Sequence, residues 1–181
     1  MTDAEQRAAA VRLLVMDVDG VLTDGRLYFG ADGEALKVFD VRDGLGVKML
    51  REAGIEVAIL SSRSSPIVER RARELGIGSV VQGSTDKGAG FAALVHALRL
   101  EPAQCGYIGD DWPDLAALAQ AGFAATVSDA SAEVRSISHW ISEAPGGRGA
   151  VRELAEFILR SQGRLQDVLR RHGGAETGSD A

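Results

Sequence analysis

The sequence predicts an α/β fold in which helices cover both faces of a mainly parallel sheet. Three observations predict it. Short apolar, β-branched runs recur along the chain, amphipathic segments alternate with most of them, and a glycine stands just past four of those segments, at Gly54, Gly76, Gly122 and Gly163. Strands buried on both faces read as continuous apolar runs, and parallel neighbours need a helical crossover. Glycine past a periodic segment accepts the left-handed conformation that ends a helix.

The elements follow in order. Residues 12–16 are the first apolar run. Residues 26–40, RLYFGADGEALKVFD, read as strand, Asp-Gly turn, strand. That β-hairpin signal breaks the alternation and should project from the C-terminal end of the first strand. Residues 43–53 read as a helix, 56–60 as a strand, 66–75 as a helix with Pro66 near its first turn, and 79–81 as a strand. Helix 86–100, strand 106–108, helix 114–121, strands 124–127 and 139–142, and helix 148–162 complete the pattern. Residues 1–10, MTDAEQRAAA, carry acids and lack a long apolar stretch, so they read as a flexible lead and not as a signal peptide. Residues 164–181 end in a polar, Gly-rich stretch and read as a flexible tail, which leaves one folded domain over 11–163.

With 181 residues the chain is long enough for one domain with an ample core. The net charge of −6 argues against nucleic acid as a partner. An anionic substrate would therefore need a local cluster of Lys and Arg. No apolar run is long enough to span a bilayer. The single cysteine, Cys105, cannot form an intrachain disulfide, which fits a reducing cytoplasm.

In an open α/β sheet, ligands bind beyond the carboxyl ends of the strands. The first run ends in DVDGVLTDG, with Asp17 and Asp19. Ser61, Ser62 and Arg63 follow the second strand, Asp86 and Lys87 come shortly after the third in QGSTDKG, and GDDWPD, with Asp110, Asp111 and Asp114, follows the fourth. A parallel sheet brings these ends to one edge. Phosphoryl transfer is the chemistry that uses such a set. Asp17 can attack phosphorus and form an aspartyl-phosphate. Asp19, two residues on in extended backbone, lies on the same side and can protonate the leaving alcohol, then deprotonate the hydrolytic water. Clustered acids need a cation, and Mg²⁺ suits one or two carboxylates plus phosphate oxygen and waters. Asp110 is the remote ligand in this reading. Lys87 and the Ser61 hydroxyl would hold the equatorial phosphoryl oxygens.

Taken singly, these residues have plainer readings. Asp86 and Asp114 also satisfy the rule for helix N-caps, Ser61-Ser62 can be loop, and Lys87 a solvated lysine. Trp112 either packs structurally or walls the pocket. Other templates fit worse. An EF-hand starting at Asp17 would put Tyr28 where Glu is required. There is no G-x-S-x-G and no P-loop. His96, His139 and His172 are too scattered for a zinc site. A phosphoaccepting receiver module is the rival from another class. It places an acidic pair on its first strand, its acceptor on the third and its lysine last, whereas here Lys87 precedes the Asp110 cluster and Asp19 offers an acid/base.

DVDGVLTDG, SSR, QGSTDK and GDDWPD, in this order, resemble the motifs of the haloacid-dehalogenase-like phosphatases. The likeness is closer to their capless branch, the 3-deoxy-D-manno-octulosonate 8-phosphate phosphatases, and it runs from about Leu13 to Gly163. It includes FDVRDG at 39–44 and GGRGAVRE at 146–153. The resemblance implies a Rossmann-like three-layer fold without a cap domain. It makes Asp17 nucleophile and Mg²⁺ ligand, Asp19 acid/base with its carbonyl on the metal, Asp110 the third protein ligand, and Asp111 and Asp114 their support. Ser61 and Lys87 would bind phosphate. Substrate contacts would fall on Asp19 and Lys87, on Asp40, Val41, Arg42, Asp43 and Gly44, and on Lys48, Arg63 and Arg71. Relatives acting on nine-carbon acylneuraminate-type 9-phosphates typically carry Glu where Arg63 stands, so Arg63 favours the eight-carbon acid. The chain departs from the family in Ser61-Ser62, where Thr-Gly is usual, and in Lys48, where Arg is common. Only 25 residues separate Ser61 from Asp86, too few for a lid. The apolar hairpin, with Leu27, Tyr28, Phe29, Val38 and Phe39, is expected to pack between subunits instead of folding back on its own sheet. The resemblance implies a homotetramer, with Gly146-Gly147-Arg148 either reaching a site or leading into the last helix.

Overall fold

A computed structural model describes residues 1–174. In chain order its elements are α1 (Asp3–Ala9), β1 (Leu13–Met16), β2 (Tyr28–Gly30), β3 (Gly33–Leu36), α2 (Val41–Glu52), β4 (Glu56–Leu60), α3 (Pro66–Leu75) and β5 (Ser79–Val81). They continue with α4 (Lys87–Ala97), β6 (Cys105–Gly109), α5 (Leu115–Leu118), β7 (Phe123–Thr126), α6 (Ala132–Ile137), β8 (Trp140–Ile141), α7 (Ala150–Ser161) and α8 (Leu165–Arg171). The main sheet has the order β5-β4-β1-β6-β7-β8, and every pairing in it is parallel. From β1 the chain moves outward through β4 to β5, then returns to β6 on the other side of β1. The strand order thus reverses at β1 and β6, and at such a switch point a crevice opens beyond the strand ends.

Side chains alternate across the sheet, and both faces are covered. Leu13, Val15, Leu60 and Tyr107 face a layer built from Phe91 of α4, Leu118 of α5 and Val134 of α6. Leu14, Met16, Ile59 and Ile108 face Val47 and Leu50 of α2, Val68 of α3, and Leu154 and Ile158 of α7. This double burial is why the strands show no polar alternation. The β2–β3 hairpin forms its own two-stranded antiparallel sheet and does not join the main one. No cap domain is present among the described residues.

Several boundaries differ from expectation. Residues 3–9 are helical where a flexible lead was expected. A capping box closes the N-terminus of α1, with the Thr2 side chain and the Glu5 side chain each accepting the other's backbone N–H. Ala8 is buried, and the helix is tied down by Arg7 Nη1 donating to Gly122 O at 3.0 Å and Gln162 Nε2 donating to Val11 O at 2.8 Å. The expected tail is also helical over 165–171: Val168 is buried, and Arg171 Nη1 donates to Glu52 O at 3.1 Å. Residues 175–181 of that tail lie outside the described residues. Helix α2 starts at Val41 because Asp40 caps it, accepting from Arg42 N at 2.7 Å. The expected helix 114–121 is only a 3-10 turn over Trp112–Asp114 and the short α5. Helix α6 was not foreseen. No helix among the described residues is long and apolar enough to cross a membrane.

Candidate active site

The acidic ends of β1 and β6 are neighbours because the ladder between those strands runs on past them. Asp17 N donates to Ile108 O at 3.0 Å, which sets Asp17 beside the Gly109-Asp110 turn. The following Gly20 is a packing necessity. Its φ is +94°, and a Cβ there would come within 2.1 Å of Asp110 Oδ2. Carboxylate oxygens of Asp17, Asp110 and Asp114 all lie within 4.8 Å of one another.

Lys87 opens α4, and Asp86 is indeed its N-cap, accepting from Ala89 N at 2.9 Å. The buried Lys87 ammonium lies 2.8 Å from Asp17 Oδ1 and 2.7 Å from Asp114 Oδ1. Asp114, by contrast, does not cap α5. Its Oδ1 also accepts from the Tyr107 hydroxyl at 2.6 Å, and its Oδ2 from the backbone N–H groups of Asp110 and Asp111 at 3.0 and 3.2 Å. Asp114 is thus saturated by its neighbours, and it clamps the Asp110 loop to Lys87.

The electrostatics follow from this crowding. Burial, then the charge of Asp114, pushes the Asp17 carboxyl up to about 6 against the pull of Lys87. Burial, then Asp17 and Asp114, pushes Asp110 up to about 8. Burial alone would lower Lys87, but Asp17 and Asp114 outweigh it and hold the ammonium above its ordinary value. Burial, then Asp114, raises the Tyr107 hydroxyl far above its ordinary range, so it remains a donor.

A cavity of about 270 Å³ is lined by Asp17, Asp19, Ser61, Arg63, Lys87 and Asp110, with Asp111 and Asp114 beside them. The buried Ser61 hydroxyl accepts from Arg63 N at 3.3 Å, so the turn after β4 is pinned at the cavity wall. A larger depression of about 570 Å³, lined by Ser64, Glu69, Arg73 and Val80 among others, contains none of the clustered aspartates. Volume alone does not identify the site; the convergent polar groups do. Trp112 lies outside the cavity lining, exposed, with Nε1 donating to Glu133 Oε2 at 3.0 Å.

The other expected substrate contacts do not line this cavity within one chain. Asp40 and Arg42 pair with each other and line a separate cavity of about 310 Å³ with Phe39 and Arg148. Val41 is exposed. Asp43 is buried: Oδ2 accepts from Gly149 N at 3.2 Å and Oδ1 from Arg152 N at 3.0 Å, which joins α2 to the start of α7. Burial raises its carboxyl although those bonds oppose the shift. Gly44 makes room for Arg71, whose guanidinium sits 5.7 Å from the Phe39 ring centroid. Lys48 lines a fourth depression with Arg51 and Glu74. The Gly146-Gly147 turn packs against the loop after β1, with Gly147 N donating to Val21 O at 2.9 Å.

Sequence reasoning missed three residues at the site. Tyr107 reads as an ordinary strand aromatic until its hydroxyl is placed on Asp114. Lys37 and Glu34, in the hairpin, receive no role from the sequence. In the fold Lys37 is buried, its ammonium donates to Asp19 Oδ1, and it lies 3.0 Å from Glu34 Oε1. Nothing in the sequence sets Glu34 and Lys37 apart from the other charges of that segment, Arg26, Asp32 and Asp40.

Similarity to known proteins identifies the family. Residues 40–122 match the model of the haloacid dehalogenase-like hydrolase family. The chain is 44% identical over 164 residues, 91% of this chain and 88% of the other, to the 3-deoxy-D-manno-octulosonate 8-phosphate phosphatase KdsC of Yersinia pestis. It superposes with a TM-score of 0.92 and 41% identity on the corresponding phosphatase of Moraxella catarrhalis in complex with magnesium ion, phosphate ion and a KDO molecule, covering 95% of this chain and 99% of that one. The cobalt-bound enzyme of Haemophilus influenzae gives a TM-score of 0.87 at 43% identity, covering 88% of this chain and 94% of that one. The chain therefore belongs to the 3-deoxy-D-manno-octulosonate 8-phosphate phosphatase family of haloacid dehalogenase-like hydrolases.

Proposed function

We propose that this protein is a Mg²⁺-dependent phosphatase that hydrolyses 3-deoxy-D-manno-octulosonate 8-phosphate to the free sugar acid and phosphate, through an aspartyl-phosphate on Asp17. The observation that carries the reading is the meeting of Asp17, Asp19, Ser61, Lys87 and Asp110 at one cavity. The magnesium, phosphate and KDO in the Moraxella catarrhalis neighbour support both the metal and the substrate.

The acidic cluster fits a divalent cation. Burial, then the charge of neighbouring aspartates, raises Asp17 and Asp110, and Asp114 is already occupied by donors. Asp17, Asp110 and the backbone carbonyl of Asp19 would hold Mg²⁺, which when bound supplies positive charge to phosphoryl oxygens. Asp17 is the nucleophile, and Lys87 keeps its carboxylate aligned while offering a charge where the transition state gathers its own. Asp19, at the mouth, protonates the departing sugar hydroxyl and later takes the proton of the attacking water. The Ser61 hydroxyl holds a phosphoryl oxygen. Arg63 at the rim offers a guanidinium that matches a carboxylate, a group that eight- and nine-carbon sugar acids share. The preference for the eight-carbon acid rests on the resemblance, because relatives acting on nine-carbon acids typically carry Glu there.

Of the remaining contacts, Asp40, Val41, Arg42, Lys48 and Arg71 serve a site completed by a second copy, whereas Asp43 and Gly44 are buried in their own chain and hold the start of α2 in place. The hairpin supports an oligomer. Its charged Glu34 and Lys37 turn inward, while Leu27, Phe29, Leu36 and Val38 are 44, 64, 45 and 54% exposed. A homotetramer with hairpins packed centrally covers that surface and closes the cavity. Its place is cytoplasmic, in the synthesis of lipopolysaccharide precursors.

The test is a phosphate-release screen with Mg²⁺ over phosphorylated sugar acids of eight and nine carbons. The 8-phosphate is expected to turn over best, and Asp17→Asn to release no phosphate, because an amide is no nucleophile. Turnover at the wild-type rate in Asp17→Asn removes the mechanism. A long-lived phospho-Asp without release supports the receiver reading instead.

A further inference from the structure

The hairpin does more than present an apolar face, because it delivers a buried cation to its own active site. The Lys37 side chain is 1% exposed, and two carboxylates flank its ammonium: Asp19, which accepts a hydrogen bond from it, and Glu34 at 3.0 Å. Glu34 in turn accepts from the Ser65 hydroxyl, and Ser65 N donates to Gln82 Oε1 at 2.8 Å. A chain of polar contacts therefore runs from the turn before α3, through the hairpin, to the loop after β1.

A buried ammonium is costly unless it is paired, and for stability alone an apolar side chain of similar length serves as well. The charge at Lys37 therefore calls for a role beyond packing. Arg63 cannot supply that role. Its Nε is 3.9 Å from Asp19 Oδ2 and its side chain is 43% exposed, so the contact is long and screened. Lys37 is the cation that fixes where the Asp19 carboxylate points.

We propose that Lys37 is a positioning residue for Asp19, anchored by Glu34 and Ser65, so that each hairpin sets the acid/base group of its own chain. The inference rests on the reading of Asp19 as the acid/base. A general acid displaced by about an ångström loses much of its contribution, which is commonly 10²–10⁴-fold.

The experiment compares Lys37→Met and Glu34→Gln with wild type on the 8-phosphate, with circular dichroism and thermal melting to certify folding. The expected result is a kcat lowered about tenfold or more in Lys37→Met and severalfold in Glu34→Gln, with KM changed less than about threefold. If Lys37→Met does not fold, the isosteric Glu34→Gln decides alone. A kcat within about twofold of wild type in the folded variants, or a loss that falls wholly on KM, overturns the proposal. Wild type inactive on the whole panel defeats the phosphatase reading, whereas active wild type with unimpaired variants defeats only the role of Lys37.

Discussion

Asp114 organises the site without needing to touch substrate. It takes four hydrogen bonds, from Lys87, Tyr107, Asp110 N and Asp111 N, and so converts a flexible acidic loop into a fixed one. The Tyr107 hydroxyl is the contributor whose removal isolates this effect, because phenylalanine keeps the edge-on packing against Phe91, whose ring centroid lies 5.8 Å away. A hydrogen bond to a charged group contributes roughly 1.5–3 kcal/mol. Tyr107→Phe should lower stability by about that amount in urea unfolding, with a fall in kcat as Asp114 loosens its hold on Lys87. An unchanged unfolding midpoint would show that the hydroxyl contributes nothing.

Among the elements, the join between β7 and β8 carries a titratable acceptor. His139 Nδ1 accepts from Ala124 N at 2.8 Å, so that nitrogen must be unprotonated in the fold. Burial, then the nearby Arg7 guanidinium, lowers the imidazole below its ordinary value, with Asp3 opposing. The folded chain thus binds this proton less readily than the unfolded chain. The associated stability is fully present above the unfolded value of about 6.5 and is lost as pH falls through it toward the lowered folded value. Urea midpoints measured between about pH 7.5 and 5.5 should fall more for wild type than for His139→Asn, whose side-chain oxygen keeps the acceptor without titrating. Parallel pH profiles for the two would remove His139 as the cause.

At the scale of the whole molecule, the hairpin turns Lys37 and Glu34 inward and leaves Leu27, Phe29, Leu36 and Val38 exposed. Contiguous exposed apolar surface of this kind marks an interaction site. Replacing Phe29 and Val38 by serine should shift the assembly to smaller species in light scattering while leaving the circular dichroism of the sheet intact. It should also lower activity, because closure of the cavity is lost. An unchanged mass in the double variant would place the interface elsewhere.

The sequence by itself determined the parallel sheet and the set Asp17, Asp19, Ser61, Lys87 and Asp110. Strand-end position converts directly into a shared crevice once the strands run parallel, and motif order separates this chemistry from a receiver. Helices α1 and α8 escaped it because their stability comes from a cap and from docking on distant residues such as Gly122 and Glu52, which local composition does not reveal. Only the tertiary structure decided that Asp86 is a cap while Asp114 is a clamp, since both stand before helices and differ only in what lies across from them. It alone placed Tyr107 under Asp114 and Lys37 against Asp19, and it put Asp43 to work joining α2 to α7. A side chain's charge is written in the sequence, but its partner is set by chain crossings between residues far apart in number.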